Sequence, residues 1–69
     1  MKLSARNVLQ GRIVEITKGA TTAHVKIDVG GTVVTSSITN QAVDDLKLEV
    51  GKEAYAVVKA SDVLVGVDE

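Results

Sequence analysis

The chain contains no cysteine, so no disulfide can hold it. With a single histidine and no thiolate, a structural zinc site lacks its ligands. Tyr55 is the one aromatic side chain, which leaves no large rings to anchor a core. Apolar residues still make up 45% of the sequence, nearly all of them Val, Ile, Leu and Ala. Burial must therefore be shared among many small side chains, some of it between subunits. No apolar run approaches the roughly 18 residues that a membrane span needs, and no charged segment precedes an apolar one at the N-terminus. The expected compartment is the cytoplasm, with which the lack of cysteine is compatible. Neither sign of charge is in excess: eight Lys and Arg stand against nine Asp and Glu, a net charge of −1. Such a chain has no long-range field to gather a polyanion such as DNA, so any anion site has to be local.

What remains is a chain of 69 residues, read as one domain over residues 1–69. A chain of this size buries too little of its surface to be comfortably stable unaided. With disulfides and zinc excluded, self-association is the expected support.

The residue pattern is that of strands. Val8 to Thr17 (VLQGRIVEIT) is rich in β-branched residues and is followed by a turn at Lys18-Gly19. Ala23, Val25, Ile27 and Val29 then alternate with Thr22, His24, Lys26 and Asp28, a period of two that turns one apolar face inward. Gly30-Gly31 can adopt the positive φ angles of a tight hairpin, so TVVTSSIT (Thr32 to Thr39) is expected to pair antiparallel with that strand. Thr39 or Asn40 can cap a short helix over Gln41 to Leu48, with Val43, Leu46 and Leu48 near one face, and Gly51 closes the segment. Glu53 to Lys59 alternates again, and Asp62 to Val67 reads as a fifth strand. Short strands at this spacing, with a helical excursion after the third, suit an all-β fold. The expected architecture is a small five-stranded barrel of the oligonucleotide/oligosaccharide-binding type with one short helix, in an oligomer.

Three polar clusters could carry chemistry. Ser4-Ala5-Arg6-Asn7 packs a hydroxyl, a guanidinium and a carboxamide in front of the first strand. By spacing alone it reads as a polar N-terminal tail. Alternatively, Arg6 presents forked donors and Ser4 an O–H to a tetrahedral oxyanion. Lys59-Ala60-Ser61 lies where the last two expected strands join. It is either a solvated loop or a bend that turns main-chain N–H groups and a lysine toward a common point. Thr35-Ser36-Ser37-Ile38-Thr39 is rich in hydroxyls, which are also ordinary on strand faces and at helix caps.

Taken in order, SARN before a strand, ITNQAV in mid-chain and VGKEAYAVVKAS near the end, within about seventy residues, resemble the molbindin family over essentially the whole chain. Molbindins are the free-standing form of the molybdate-binding domain that also occurs in molybdenum-responsive transcription regulators and molybdate transporter ATPases. The resemblance implies a hexamer, a trimer of dimers, that binds molybdate or tungstate between subunits for storage and homeostasis and catalyses nothing. It implies that Ser4 and Arg6, with Ala5 and Asn7 in the same motif, meet one oxyanion, which Lys59, Ala60 and Ser61 complete. Thr39 and the main chain around Ala42 contribute from the same region. Some relatives carry Ser where this chain has Ala42, and others differ at Ala60, so hydroxyl contacts are lost at these two positions. The family also has a second class of site near its three-fold axis. No further cofactor is implied, and molybdenum or tungsten is bound as its oxyanion rather than by metal ligands.

The physical reading agrees with this implication. A buried dianion needs several hydrogen bonds and some positive charge or it stays in water, and one Arg, one Lys, hydroxyls and main-chain N–H groups meet that need. The competing reading, a nucleic-acid-binding barrel, is opposed by an acidic pI of about 5.7, a single aromatic and no basic stripe. An enzyme lacks a nucleophile and base at recognisable spacing and a phosphate loop. His24 is expected on a polar strand face, and Tyr55 at an interface or barrel end with its hydroxyl wet. Asp44-Asp45 reads as a solvated start to the helix rather than a cation site.

Overall fold

The computed structural model describes residues 1–69 and is built around one long strand. β1 (Asn7–Lys18) is followed by β2 (Thr22–Asp28), β3 (Val33–Thr39), a helix α1 (Asn40–Asp45) and β4 (Glu53–Val58). All pairings are antiparallel, and the strand order is β3-β2-β1-β4. β1 divides its length between two neighbours: Asn7 to Arg12 pair with β4, and Arg12 to Lys18 pair with β2. Between Ile13 and Glu15 the register with β2 shifts by one residue, a bulge that bends the strand and increases its twist. The bend lets four strands curl around a common interior.

Gly11 makes the crossing possible. A Cβ built there would lie 2.8 Å from Ile27 Cγ2 and closer still to the Asp28 carbonyl oxygen, so β1 and β2 approach more tightly here than any side chain permits. The β2–β3 hairpin turns at Gly30 and Gly31, whose φ angles are 97° and 99°. Asp28 Oδ1 accepts from both of their N–H groups, at 3.1 and 2.8 Å, so a strand residue caps its own turn.

The interior is small and entirely aliphatic. Ile13, Ala23, Val25, Ile27, Val43 and Ala56 are buried, with Ile16, Val29, Val34, Ile38, Leu48 and Ala54 packed around them. The alternation expected for the second strand is observed, with Ala23, Val25 and Ile27 inward and His24 exposed. Val43 is the one buried residue of α1, which lies against the interior and plugs it.

Two expectations are corrected. The helix is six residues rather than the eight from Gln41 to Leu48, because the chain leaves it through a left-handed residue. The N–H of Leu48 returns to the Val43 carbonyl and that of Lys47 to the Asp44 carbonyl, both at 3.0 Å, a Schellman ending. Lys47, with φ 53°, occupies the position where glycine is usual. Lys52 Nζ donates to the Leu46 and Lys47 carbonyls at 3.4 and 2.9 Å, closing off the same helix end.

The second correction concerns Asp62 to Val67, which forms no strand in this chain. A turn of 3-10 helix occupies Ala60–Asp62. Beyond it Leu64, Val65 and Val67 are 92%, 91% and 84% exposed. The sheet consequently has four strands with two free edges, β3 and β4. A hollow of about 380 Å³ opens into the interior, lined by Ile13, Val25, Ile27, Ile38, Leu48 and Val57 among others. Tyr55 stands at this hollow and is exposed.

Candidate oxyanion site

The pairing of β1 with β4 joins the two ends of the sequence. Its last rung is Asn7 opposite Val58, so Arg6 and Lys59 leave the sheet one residue beyond it, at the same end. Both are exposed. Only two salt bridges exist in the chain, Lys18–Asp44 at 2.6 Å and Lys26–Glu15 at 3.7 Å, and neither involves this pair. Of the eight Lys and Arg residues, Lys18 and Lys26 have carboxylates, and Arg12 and Lys52 donate to carbonyls. Arg6 and Lys59, like Lys2 and Lys47, have no carboxylate or carbonyl partner for their side chains, and of these four it is Arg6 and Lys59 that flank the last rung of the β1–β4 ladder. Like charges at opposed positions of neighbouring strands repel one another, and an anion between them removes that repulsion.

The chain also presents main-chain donors there. Lys59 is extended, with φ −65° and ψ 137°, and the chain then enters the 3-10 turn, closed by Asp62 N–H to Lys59 O at 2.9 Å and Val63 N–H to Ala60 O at 3.2 Å. The first N–H groups of such a turn have no partner within it, and those of Ala60 and Ser61 donate to no acceptor in the chain. The SARN and KAS segments thus leave the same end of the sheet, Arg6 from one and Lys59 with the free N–H groups of Ala60 and Ser61 from the other, and Ser4 is exposed two residues before Arg6. Ala5 is half-buried between exposed Ser4 and Arg6.

Thr39 and Ala42 lie elsewhere. Thr39 pairs with Thr22, next to the rung between Lys18 and Ala23 that ends β1. A twelve-residue strand rising about 3.3 Å per residue separates its ends by some tens of Å even when curled. One chain therefore does not unite Thr39 and Ala42 with Arg6 and Lys59. The two are moreover bonded to each other: Thr39 Oγ1 accepts from the Ala42 N–H at 3.0 Å as the helix cap. The Ala42 donor is spent, whereas the Thr39 O–H proton is left free and the cap orients it. Asp44, weighed as a cation ligand, instead takes Lys18 in an ion pair, which attaches the helix to the end of β1.

Two side-chain bonds, one at this end of the β1–β4 ladder and one at its far end, were not anticipated from sequence. Asn7 Nδ2 donates to the Val58 carbonyl at 3.2 Å, and Arg12 donates to the Gly51 carbonyl at 2.6 Å. Neither has a local signal, since each bond spans a large part of the chain. Gly11 did have one: an isolated glycine in a β-branched run marks a bulge or a close backbone approach.

Comparison with known proteins fixes the family. The model of the TOBE domain matches residues 3–65. A probable molybdenum-pterin-binding protein of Haemophilus influenzae is 54% identical over 69 residues, which is 99% of this chain and 100% of the relative. The chain belongs to the molbindin family. Among solved structures, a molybdate-binding protein from Sporomusa ovata matches with a TM-score of 0.92 and 39% identity, covering 97% of this chain and 100% of that one. The cytoplasmic molybdate-binding protein ModG, in a form with molybdate bound, matches with a TM-score of 0.93 and 46% identity, covering 99% of this chain and 49% of that one. The molbindin fold is therefore an all-β curled sheet with one short helix, held in common with proteins described as binding molybdate.

Proposed function

We propose that this molbindin binds molybdate, and tungstate as its close analogue, as intact oxyanions at sites formed between copies of the chain. Its role is intracellular storage and homeostasis of the metal, without catalysis. The observation that carries the reading is the unpaired Arg6 and Lys59 at the shared end of β1 and β4, beside the free N–H groups of Ala60 and Ser61. A tetrahedral dianion accepts from several donors at once, and charge-assisted bonds from a guanidinium and an ammonium offset its loss of hydration. The relatives' descriptions, as molybdenum-pterin-binding and molybdate-binding proteins, point to the same ligand.

The site is completed by a second copy in a ring-like hexamer, a trimer of dimers, located in the cytoplasm. Thr39, at the far end of β1, can approach the Arg6 and Lys59 of another copy but not those of its own. Assembly is also favoured by the exposed Val63 to Val67 segment and by the two free sheet edges flanking an apolar hollow. A fifth strand contributed between copies covers both, and its burial supplies what the small interior lacks.

Native mass spectrometry with molybdate, tungstate or sulfate tests this reading. A hexamer that gains whole molybdate or tungstate units but not sulfate is expected, and a protein that takes up neither metal oxyanion overturns it. Arg6→Ala removes the forked donor and should weaken binding at least about tenfold, since a hydrogen bond to a charged group contributes about 1.5–3 kcal/mol. Equilibrium dialysis against molybdate checks this, and unchanged affinity refutes the assignment of Arg6.

A further inference from the structure

Resting on the oxyanion reading above, we propose that Asn7 is a positioning residue: its carboxamide holds the Lys59-Ala60-Ser61 bend against Arg6 and does not itself bind the anion. The side chain is half-buried, and its Nδ2 donates to the Val58 carbonyl at 3.2 Å. Asn7 and Val58 already form the last rung between β1 and β4. Strand ends fray because beyond the last rung nothing holds the two chains together. A side-chain bond added to this rung keeps the ladder closed up to the point where both chains leave it. Arg6 precedes Asn7 directly and Lys59 follows Val58 directly, so the clamp sets the separation of the two cations. It also sets the start of the turn that frees the Ala60 and Ser61 N–H groups.

The clamp also opposes a cost. With no anion bound, two positive side chains at the end of a two-stranded ladder push it open. The Asn7 bond is neutral and directed at the backbone, so it resists that opening without neutralising the charge that the ligand needs.

The test is a double-mutant cycle read by molybdate titration calorimetry, combined with amide hydrogen exchange in the absence of ligand. Asn7→Ala is expected to weaken molybdate binding about tenfold, while in a Lys59→Ala background the same change costs less than about twofold. Ligand-free Asn7→Ala protein should exchange its Val58 and Lys59 region faster while Val25 and Ile27 in the interior keep their protection. Asn7→Gln, which retains a carboxamide able to reach Val58, should restore most of the affinity. Asn7→Asp, the same size but carrying an acceptor toward an acceptor, should not.

Additive effects of Asn7→Ala and Lys59→Ala would overturn the proposal, because an independent ligand to the anion behaves that way. Unchanged exchange at Val58 and Lys59 would overturn it too. If Asn7→Ala does not fold, the Gln and Asp variants carry the same comparison. If the unsubstituted protein binds no molybdate, the oxyanion reading fails, while the exchange measurement still decides whether Asn7 holds the bend.

Discussion

At Gly11 a missing methyl group controls how two strands cross. β1 and β2 pass so closely that a side-chain carbon at this position overlaps the Asp28 carbonyl and stands 2.8 Å from Ile27 Cγ2. One obstacle is backbone and the other belongs to a buried residue, so neither yields easily. Gly11→Ala is expected to destabilise the fold by about 1–3 kcal/mol, read as a lower urea midpoint at fixed protein concentration. A midpoint equal to that of the unsubstituted protein would show that the strands can separate here at little cost. Arg6 and Lys59 are residues of the opposite kind. They add nothing to the interior and lack an ion-pair partner within the chain; Lys2 and Lys47 share that state, and what sets Arg6 and Lys59 apart is their place at the end of the β1–β4 ladder. The SARN and KAS motifs marked both from sequence. That both leave the sheet at one end was not visible there, because it depends on the rung between Asn7 and Val58.

Among the elements, α1 shows a local rule broken and compensated. Its N-terminus follows the rule, with Thr39 as cap. At its C-terminus Lys47 takes a φ of 53° that disfavours any residue with a Cβ. The Schellman bonds, and Lys52 Nζ on the Leu46 and Lys47 carbonyls, hold it there. Lys47→Gly removes the strain at some cost in unfolded-chain entropy, and a net gain of about 0.5 kcal/mol is expected. Thermal unfolding at constant protein concentration checks it, and a lowered midpoint would mean that Lys47 contributes a contact of its own. This ending also explains why the helix is shorter than its apolar spacing suggested. Leu48 sits on the expected face, but it belongs to the returning turn rather than to the helix. β1 shows the same limit: its β-branched run was legible, whereas the bulge after Ile13 was not, because a bulge is defined only against a partner strand.

For the molecule as a whole, the question is closure. Four strands curl around six buried residues, and the sheet ends in two unpaired edges while an apolar tail stays in water. Open edges and exposed apolar segments promote association. If Val63 to Val67 becomes a strand between copies, its alternation buries Val63, Val65 and Val67 on one face. Val65→Asp would place an unpaired carboxylate in that interface. It should shift the native mass spectrum from hexamer toward smaller species and reduce molybdate uptake with it, while Val65→Ile leaves both unchanged. A Val65→Asp hexamer of full binding capacity would show that the tail has no part in assembly.

The primary structure was enough for the first four strands, the hairpin at Gly30-Gly31 and the capped helix start. All of these follow from interactions between near neighbours: side-chain alternation, the freedom of glycine at positive φ, and a hydroxyl reaching the next turn. Tertiary structure alone decided that Arg6 and Lys59 leave the sheet at the same end, away from Thr39, that Gly11 is a crossing point, and that Asp62 to Val67 finds no partner strand in its own chain. Each of these depends on which distant segments share buried surface. That is settled by the balance of burial and backbone pairing over the whole fold, and a residue's neighbours in sequence carry no record of it.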